Sequence, residues 1–363
     1  MSKIDQHVVV AMSGGVDSSV AAALLIEKGY HVTGVMLKLW TAECNQEENA
    51  CCTPEAISLA RDVSGRLGIP FYVIDARNEF KSHVVDDFIV KSFKGFTPNP
   101  CYLCNRLIRW GFLLDKSLAM GADFFATGHY AQISPDSSGI FHLKKGVDTA
   151  KDQSYVLSGL SQYQLSRTIL PLGKFTKQEI RDEARRRQLP VADKPDSQDL
   201  CFVGSLDYRE FLHQNGGQIA NKGNIVNNAG KVIGTHNGLQ DYTIGQRKGI
   251  GSGNLEPIYV IEKDYLTNNL IVGSESDLAF TRVFLTGENW ICGGRPEINK
   301  KYEVKIRYKA RPQAAVLSSV DNTYVIEFES PVRDATPGQI VVIYDDDEVV
   351  GSGEIIRTER GNR

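Results

Sequence analysis

The sequence has no apolar run long enough to cross a bilayer, no internal repeat and no low-complexity tract. It also lacks an excess of either charge: 41 Lys and Arg against 44 Asp and Glu leave a formal net charge of −3. These absences exclude a membrane-spanning bundle and a uniformly basic nucleic-acid coat, while leaving room for a local basic face. The opening stretch, Met1 to His7, is too polar for a secretory signal, so a cytoplasmic protein is expected, with no membrane partner. Seven cysteines in a chain of that compartment point to thiol chemistry or metal rather than structural disulfides. At 363 residues, 42% of them hydrophobic, the chain can build two or three domains with real cores.

Against that background one stretch organises the rest. Val8-Val9-Val10-Ala11-Met12 reads as a buried strand, Ser13-Gly14-Gly15 as a loop of small residues, and Val16-Asp17-Ser18-Ser19 as the first turn of a helix that runs to Lys28 and stops at Gly29. Glycines let backbone approach a ligand, serines add hydroxyl donors, and the helix start points unpaired N–H groups at the same spot. That combination binds phosphate. It is not the common phosphate loop, because no Gly-Lys-Ser/Thr follows, and no G-x-G-x-x-G is present.

His31 to Leu39 reads as a second strand, and Trp40 to Cys52 as an irregular polar stretch holding Cys44, Cys51 and Cys52. Thr53-Pro54 opens a helix to Leu67, Phe71 to Asp75 is a third strand, and a helix from Asn78 to Lys94 follows. This alternation predicts a parallel sheet covered on both faces, with nucleotide at the strand C-terminal ends. In Thr97-Pro98-Asn99-Pro100-Cys101-Tyr102-Leu103-Cys104 the two prolines are expected to hold off helix until the cysteines. A helix from Arg106 to Met120 then leaves Cys104 near its N-terminus, where the dipole favours thiolate. Phe124 to Thr127 is a fourth strand, with Gly128 and His129 just past its end. Thr176 to Glu179 is a capping box opening a helix with Arg181, Arg185, Arg186 and Arg187, either a solvated face or a nucleic-acid surface. From about Asn215 short β-prone runs alternate with turn pairs, predicting a small middle domain and then a β-barrel or sandwich. Tyr302 to Tyr308 alternates cleanly, which puts Lys305 and Arg307 on the wet side.

The loop resembles the pyrophosphate loop of ATP pyrophosphatases, which cleave ATP between the α and β phosphates. Further motifs narrow the resemblance: Thr97-Pro98-Asn99-Pro100, Cys104-Asn105, Ala126-Thr127-Gly128-His129-Tyr130, Lys151-Asp152-Gln153-Ser154-Tyr155, Ser197-Gln198-Asp199-Leu200-Cys201-Phe202-Val203, Asp241 to Gly249, and Thr336-Pro337-Gly338-Gln339. In this order they resemble the tRNA-specific 2-thiouridylase family over essentially the whole chain. The resemblance implies an ATP-pyrophosphatase domain over 1–212, a small middle domain over 213–277 and a C-terminal β-barrel over 278–363. It implies ATP contacts from Met12, Ser13, Gly14, Gly15, Val16, Asp17, Ser18, Ser19, Leu37 and Gly128, with Asp17 helping, indirectly, to hold Mg²⁺. Cys104 resembles the family's nucleophile and Cys201 its persulfide carrier; Asn99, Pro100 and Cys101 match the loop facing the target base. His129, Lys151, Asp152, Gln153, Arg307, Tyr308 and Gln339 match positions that touch tRNA.

The implied reaction is adenylation of the wobble uracil O2 with release of pyrophosphate, then sulfur attack at C2 and departure of AMP. Implied partners are the tRNAs for Lys, Glu and Gln and a persulfide or sulfide donor protein. In one respect the chain departs from the family's better-known branch: Cys101 stands where an acid–base aspartate precedes the nucleophile. In one reading Cys101 is auxiliary and a persulfide on Cys201 delivers sulfur. In another, Cys101, Cys104 and Cys201 hold a [4Fe–4S] cluster with an open iron. A Zn²⁺ site is a third reading, without an obvious fourth ligand. Two rivals from other classes are a small-molecule synthetase with this loop, which has no need of paired cysteines, and a non-catalytic nucleotide sensor.

Overall fold

The computed structural model describes residues 5–42, 53–195, 200–204, 206–216, 221–250, 257–333 and 335–361. The irregular stretch around Cys44, Cys51 and Cys52, and Ser197-Gln198-Asp199, lie outside them.

The first half of the chain is built on a parallel sheet. Its strands are β1 (His7–Ala11), β2 (His31–Lys38), β3 (Phe71–Asp75), β4 (Phe124–Ala126) and β7 (Thr168–Ile169), in the order β3-β2-β1-β4-β7. The order reverses between β1 and β4, which opens the crevice where such sheets bind ligands. Helix α1 (Val16–Glu27) follows β1 and α2 (Pro54–Leu67) follows β2; Thr53 caps α2 by accepting from the Ala56 N–H at 3.1 Å. Side chains alternate across a strand, so β1 serves two cores. Val8 and Val10 pack with Val20 and Leu25 of α1 and Val63 of α2, whereas Val9 packs with Trp110, Leu113 and Phe125 on the other face. Each fully buried valine of this strand contributes about 1.5–3 kcal/mol relative to exposure.

Two long helices contain wide π-type turns. Helix α3 covers 77–93, with its wide turns at Lys81–Val85, and buries Phe80, Val84, Phe88 and Ile89. Helix α4 covers 100–119, with wide turns at Cys104–Leu113. The expected start at Arg106 is corrected: α4 begins at Pro100, with Asn99 as N-cap accepting from the Tyr102 N–H at 3.1 Å. Proline is well suited to the first helical position, where its missing N–H costs nothing.

The rest of the chain is mainly β. Helix α5 (Lys177–Arg186) packs on α1, and α6 (Tyr208–Asn215) leads into a four-stranded sheet ordered β10-β11-β8-β9. These strands are β8 (Gly223–Asn227), β9 (Val232–His236), β10 (Tyr259–Asp264) and β11 (Asn269–Gly273). The C-terminal strands are β12 (Ala279–Trp290), β13 (Lys301–Lys305), β14 (Gln313–Val320), β15 (Thr323–Arg333), β16 (Ile340–Asp345) and β17 (Glu348–Arg360). They run β12-β15-β14-β13-β16-β17, and β12 also pairs with β17, which closes the barrel and removes its edges. A hairpin between β4 and β7, of β5 (Ala131–Pro135) and β6 (Phe141–Lys145), pairs onto β17 at Glu348 and Lys144. The strand within Tyr302 to Tyr308 ends at Lys305, while the expected alternation carries on through buried Ile306; Lys305 and Arg307 fall on the outer side but are half-buried rather than wet, Lys305 lying against the Tyr155 and Tyr308 rings.

Candidate active site: a nucleotide cleft walled by a cysteine helix

The β1–α1 loop is held by its own hydroxyls. The Ser13 N–H donates to Ser18 Oγ at 3.1 Å, and Ser19 Oγ donates to the Gly15 carbonyl at 2.8 Å. Gly14 has φ +67°, and a Cβ there would sit 2.6 Å from the Ala56 carbonyl oxygen, so only glycine fits between the loop and α2. Gly128, at the end of β4, leaves room for the loop in turn: a Cβ would lie 2.7 Å from the Ser18 nitrogen.

Between these two strand ends lies a cleft of about 180 Å³. Met12, Ser13, Asp17, Ser18, Leu37 and Gly128 line it, as do Cys104, Arg109, His129 and Gln153. Gly14, Gly15, Val16 and Ser19 complete the loop behind them, with Val16 and Ser19 buried. The sheet's switch point thus joins the phosphate loop and one of the two singled-out thiols in a single cavity.

Sequence reading missed three cations here. Lys177, the first residue of α5, donates to Asp17 Oδ1 and Oδ2 at 2.7 and 2.8 Å, and Tyr130 Oη donates to Asp17 Oδ1 at 2.7 Å. Lys194 Nζ donates to the Gly14 carbonyl at 3.0 Å. Arg109, on α4, has Nη1 3.1 Å from Asn105 Oδ1 and 3.2 Å from His129 Nε2. No loop motif announces them, since they come from distant segments; the capping box at Thr176 was the one signal near Lys177.

His129 is buried in the cleft wall beneath Trp110, with ring centroids 5.4 Å apart. Burial, and then the Arg109 charge, hold its imidazole well below the usual histidine range. A neutral ring accepts from Arg109 at Nε2 and donates from Nδ1 to Thr127 Oγ1, 2.7 Å away. The side chain of Asp152 is buried and accepts from the N–H groups of Gly146 and Ser154 and from Ser154 Oγ. Gln153 clasps Tyr130, accepting from its N–H at 2.9 Å and donating its own N–H to the Tyr130 carbonyl at 2.8 Å. Lys151 is half-buried in the preceding turn.

Cys101 is exposed at the start of α4. Cys104 and Cys201 are half-buried, and both pack against one cluster containing Phe80, Phe88, Phe202 and Phe211. Two thiols nearly a hundred positions apart in the chain therefore share a neighbourhood. Among the described residues no three His, Cys, Asp or Glu side chains gather at the spacing that holds a single metal ion.

The barrel buttresses the cysteine loop. The Thr97 N–H donates to the Pro337 carbonyl at 2.8 Å, and Gln339 Nε2 donates to the Thr97 carbonyl at 2.8 Å. Arg307 Nη2 donates to Thr336 Oγ1 at 2.8 Å, and Tyr155 Oη to the Ile340 carbonyl at 2.6 Å. Tyr308 lies 6.0 Å from the Tyr155 ring, with the Lys305 ammonium 5.8 Å above its face. On α5 the arginines are engaged within the fold. Arg181 donates to the carbonyls of Ala192 and Lys194, Arg185 pairs with Asp182 and Asp193, and Arg186 and Arg187 pair with Glu183 and Glu27.

A doubly wound sheet with this glycine–serine loop at its switch point defines a nucleotide-binding enzyme of the ATP-pyrophosphatase type. Residues 6–205 match the family model described as a tRNA methyl transferase HUP domain. Residues 209–274 match its PRC-barrel domain and 281–355 an aminomethyltransferase β-barrel domain. The chain is 47% identical to a tRNA-specific 2-thiouridylase of Heliobacterium modesticaldum, over 97% of this chain and 93% of that one. It is 45% identical to the one of Lachnoclostridium phytofermentans, over 97% and 100%. Among solved structures, a 4-thiouridine synthetase bound to RNA and ATP aligns with TM-score 0.37 and 18% identity, over 58% of this chain and 50% of that one. The chain belongs to the tRNA-specific 2-thiouridylase family. Among the described residues no helix is long and apolar enough to cross a membrane.

Proposed function

We propose that this protein thiolates the wobble uridine of tRNA at C2, in the cytoplasm, using ATP and a persulfide carried on Cys201. The observation that carries this reading is the single cleft lined by Ser13, Ser18, Gly128 and Cys104. ATP lies with its phosphates on the loop, and the uracil O2 attacks the α-phosphorus. The bond to the β-phosphate oxygen breaks, and pyrophosphate leaves with the electron pair. Mg²⁺ accompanying the nucleotide would offset phosphate charge, with Asp17 holding it indirectly. The target base must be unstacked to reach the cleft, because C2 is shielded inside a stacked loop.

The terminal sulfur of a Cys201 persulfide then attacks C2 and AMP departs. The Cys104 thiolate attacks Cys201 Sγ, releasing the transferred sulfur and leaving a Cys104–Cys201 disulfide, which a thiol reductant reopens. Cys104 in the cleft wall and Cys201 on the same aromatic cluster support this order of events. Asn99, Pro100 and Cys101 face the base, and His129, Lys151 to Gln153, Arg307, Tyr308 and Gln339 serve the tRNA side. The substrates are the tRNAs for Lys, Glu and Gln, and a persulfide donor protein reloads Cys201. The domain division is 1–212, 213–277 and 278–363.

With MgATP, a persulfide donor and tRNA, pyrophosphate release should require tRNA, and 2-thiouridine should appear by mass spectrometry. Cys104→Ser should lower 2-thiouridine formation more than a hundredfold. Pyrophosphate release that ignores tRNA would indicate a small-molecule synthetase, and no release at all a nucleotide sensor. Activity that needs anaerobic iron and sulfide, and is lost with the Cys101→Ser variant, would replace the persulfide route by a cluster.

A further inference from the structure

The phosphate loop has no cation of its own. The leaving pyrophosphate carries several negative charges, and a loop of serines and glycines offers it only hydrogen-bond donors, beside the carboxylate of Asp17. Mg²⁺ accompanying the nucleotide would offset part of that charge, and the rest calls for a cation from the protein itself.

Two lysines from much later in the chain reach the loop. The Lys177 side chain is only 11% exposed, and its ammonium spans both Asp17 carboxylate oxygens at 2.7 and 2.8 Å. Its backbone is fixed threefold. Thr176 and Glu179 form a capping box immediately around it, its N–H donates to Asp148 Oδ2 at 2.9 Å, and Ile180 and Ala184 of the same helix are buried with Val20 and Ala21 of α1. Lys194 is placed by Arg181, whose guanidinium donates to the Ala192 and Lys194 carbonyls at 2.9 and 3.2 Å. Its ammonium meets the Gly14 carbonyl at 3.0 Å. The Tyr130 hydroxyl donates to Asp17 Oδ1, and the Lys177 ammonium lies 5.9 Å above the Tyr130 ring.

An ion pair this well braced has more behind it than a surface salt bridge, which contributes little. We propose that Lys177 is a catalytic residue that neutralises the leaving pyrophosphate. Asp17 parks its ammonium beside the loop, and Lys194, at the Gly14 carbonyl, acts as a second positive group. When phosphate enters, the Lys177 ammonium passes from Asp17 to the β-phosphate oxygens. It donates hydrogen bonds throughout, and no proton is transferred. As the bond between the α-phosphorus and the bridging oxygen breaks, the negative charge develops within reach of Lys177. The pair supplies from two distant segments the cation that other phosphate loops carry within their own motif.

The proposal rests on the reading that the loop holds the phosphates of ATP, and the experiment separates the two. Binding of inorganic pyrophosphate is measured by calorimetry in EDTA, so that no metal contributes, on the full-length protein and on Lys177→Met, Lys177→Gln and Asp17→Asn. Lys177→Met should weaken pyrophosphate binding about ten- to hundredfold, the loss expected for one charge-assisted contact. Asp17→Asn should tighten it, because a like charge is removed and the ammonium is freed. A merely structural ion pair predicts the same sign for both substitutions and equal losses of melting temperature, which would overturn the proposal. Lys177→Gln provides the measurement if the methionine variant does not fold, and the expected tightening by Asp17→Asn stands independently of both. In single turnover with MgATP and tRNA, Lys177→Met should slow pyrophosphate release at least a hundredfold with tRNA affinity unchanged; release within threefold of wild type would overturn the proposal. Wild-type protein that binds no pyrophosphate would instead remove the phosphate-loop reading itself.

Discussion

Gly128 shows how tightly single residues are constrained in the cleft. A methyl group there would press within 2.7 Å of the Asp17 carbonyl carbon and the Ser18 nitrogen, both backbone atoms that cannot swing away. Gly128→Ala should therefore raise the KM for ATP more than tenfold, as measured by pyrophosphate release against ATP concentration, and should also lower the melting temperature, because the loop or β4 has to shift to make room. An unchanged KM would mean that the loop and β4 do not approach each other in solution as they do here. Residues of this kind were legible in the sequence, because the loop motif and the Thr127-Gly128-His129 stretch each carry their chemistry locally. Lys177, Lys194 and Arg109 were not. Lys177 reaches Asp17 across 160 positions of sequence, and nothing in the pattern around a lysine at a helix start reveals what lies opposite it. The burial of His129 under Trp110 and its bond to Arg109 were not legible either, because they depend on a helix whose start the proline pattern misplaces.

At the scale of elements, that helix is the instructive case. Pro98 and Pro100 were read as barriers, but Pro100 is the first residue of α4 and Asn99 its cap. Asn99→Ala should cost about 1 kcal/mol, the usual loss of an N-cap, seen as a lower melting temperature. It should also lower thiolation by more than that loss alone accounts for, because the cap fixes the turn bearing Cys101 and Cys104. A second element, the aromatic cluster, places the other thiol. Phe202 lies 5.4 Å from Phe88 and 5.3 Å from Phe211 between ring centroids. Phe202→Ala should cost about 3–5 kcal/mol in denaturant unfolding. Below its transition the variant should still bind ATP while losing sulfur transfer. The fold class at this scale followed from strand and helix spacing. The two-residue strand β7 and the hairpin β5–β6 did not, since one is too short for a pattern and the other pairs with strands two hundred residues away.

At the scale of the molecule, the hairpin joins the barrel to the nucleotide domain, and a charged clasp closes the junction. His142 Nδ1 bonds to Glu348, and its Nε2 lies 3.2 Å from Asp136 Oδ2. The hydrogen bond to Glu348, and then that to Asp136, raise the imidazole above its ordinary value of 6.5. A raised pKa in the folded state means that the clasp stabilises fully below the unfolded value and loses its contribution as pH rises through the folded value. Melting temperature should accordingly fall between about pH 6.5 and the folded pKa, and His142→Gln should flatten that part of the profile; an unaltered profile would remove His142 as its source. The barrel in turn holds the cysteine loop through Thr97 and Gln339, so the two halves of the molecule meet at the thiols. The central claim is that sulfur passes from Cys201 to a uracil activated in the cleft beside Cys104. Its most direct test is a single turnover of metal-free protein carrying a radiolabelled persulfide on Cys201, mixed with MgATP and tRNA. The account predicts label in 2-thiouridine, in an amount matching the AMP formed, together with a Cys104–Cys201 disulfide. Label that stays on the protein while AMP accumulates would contradict it.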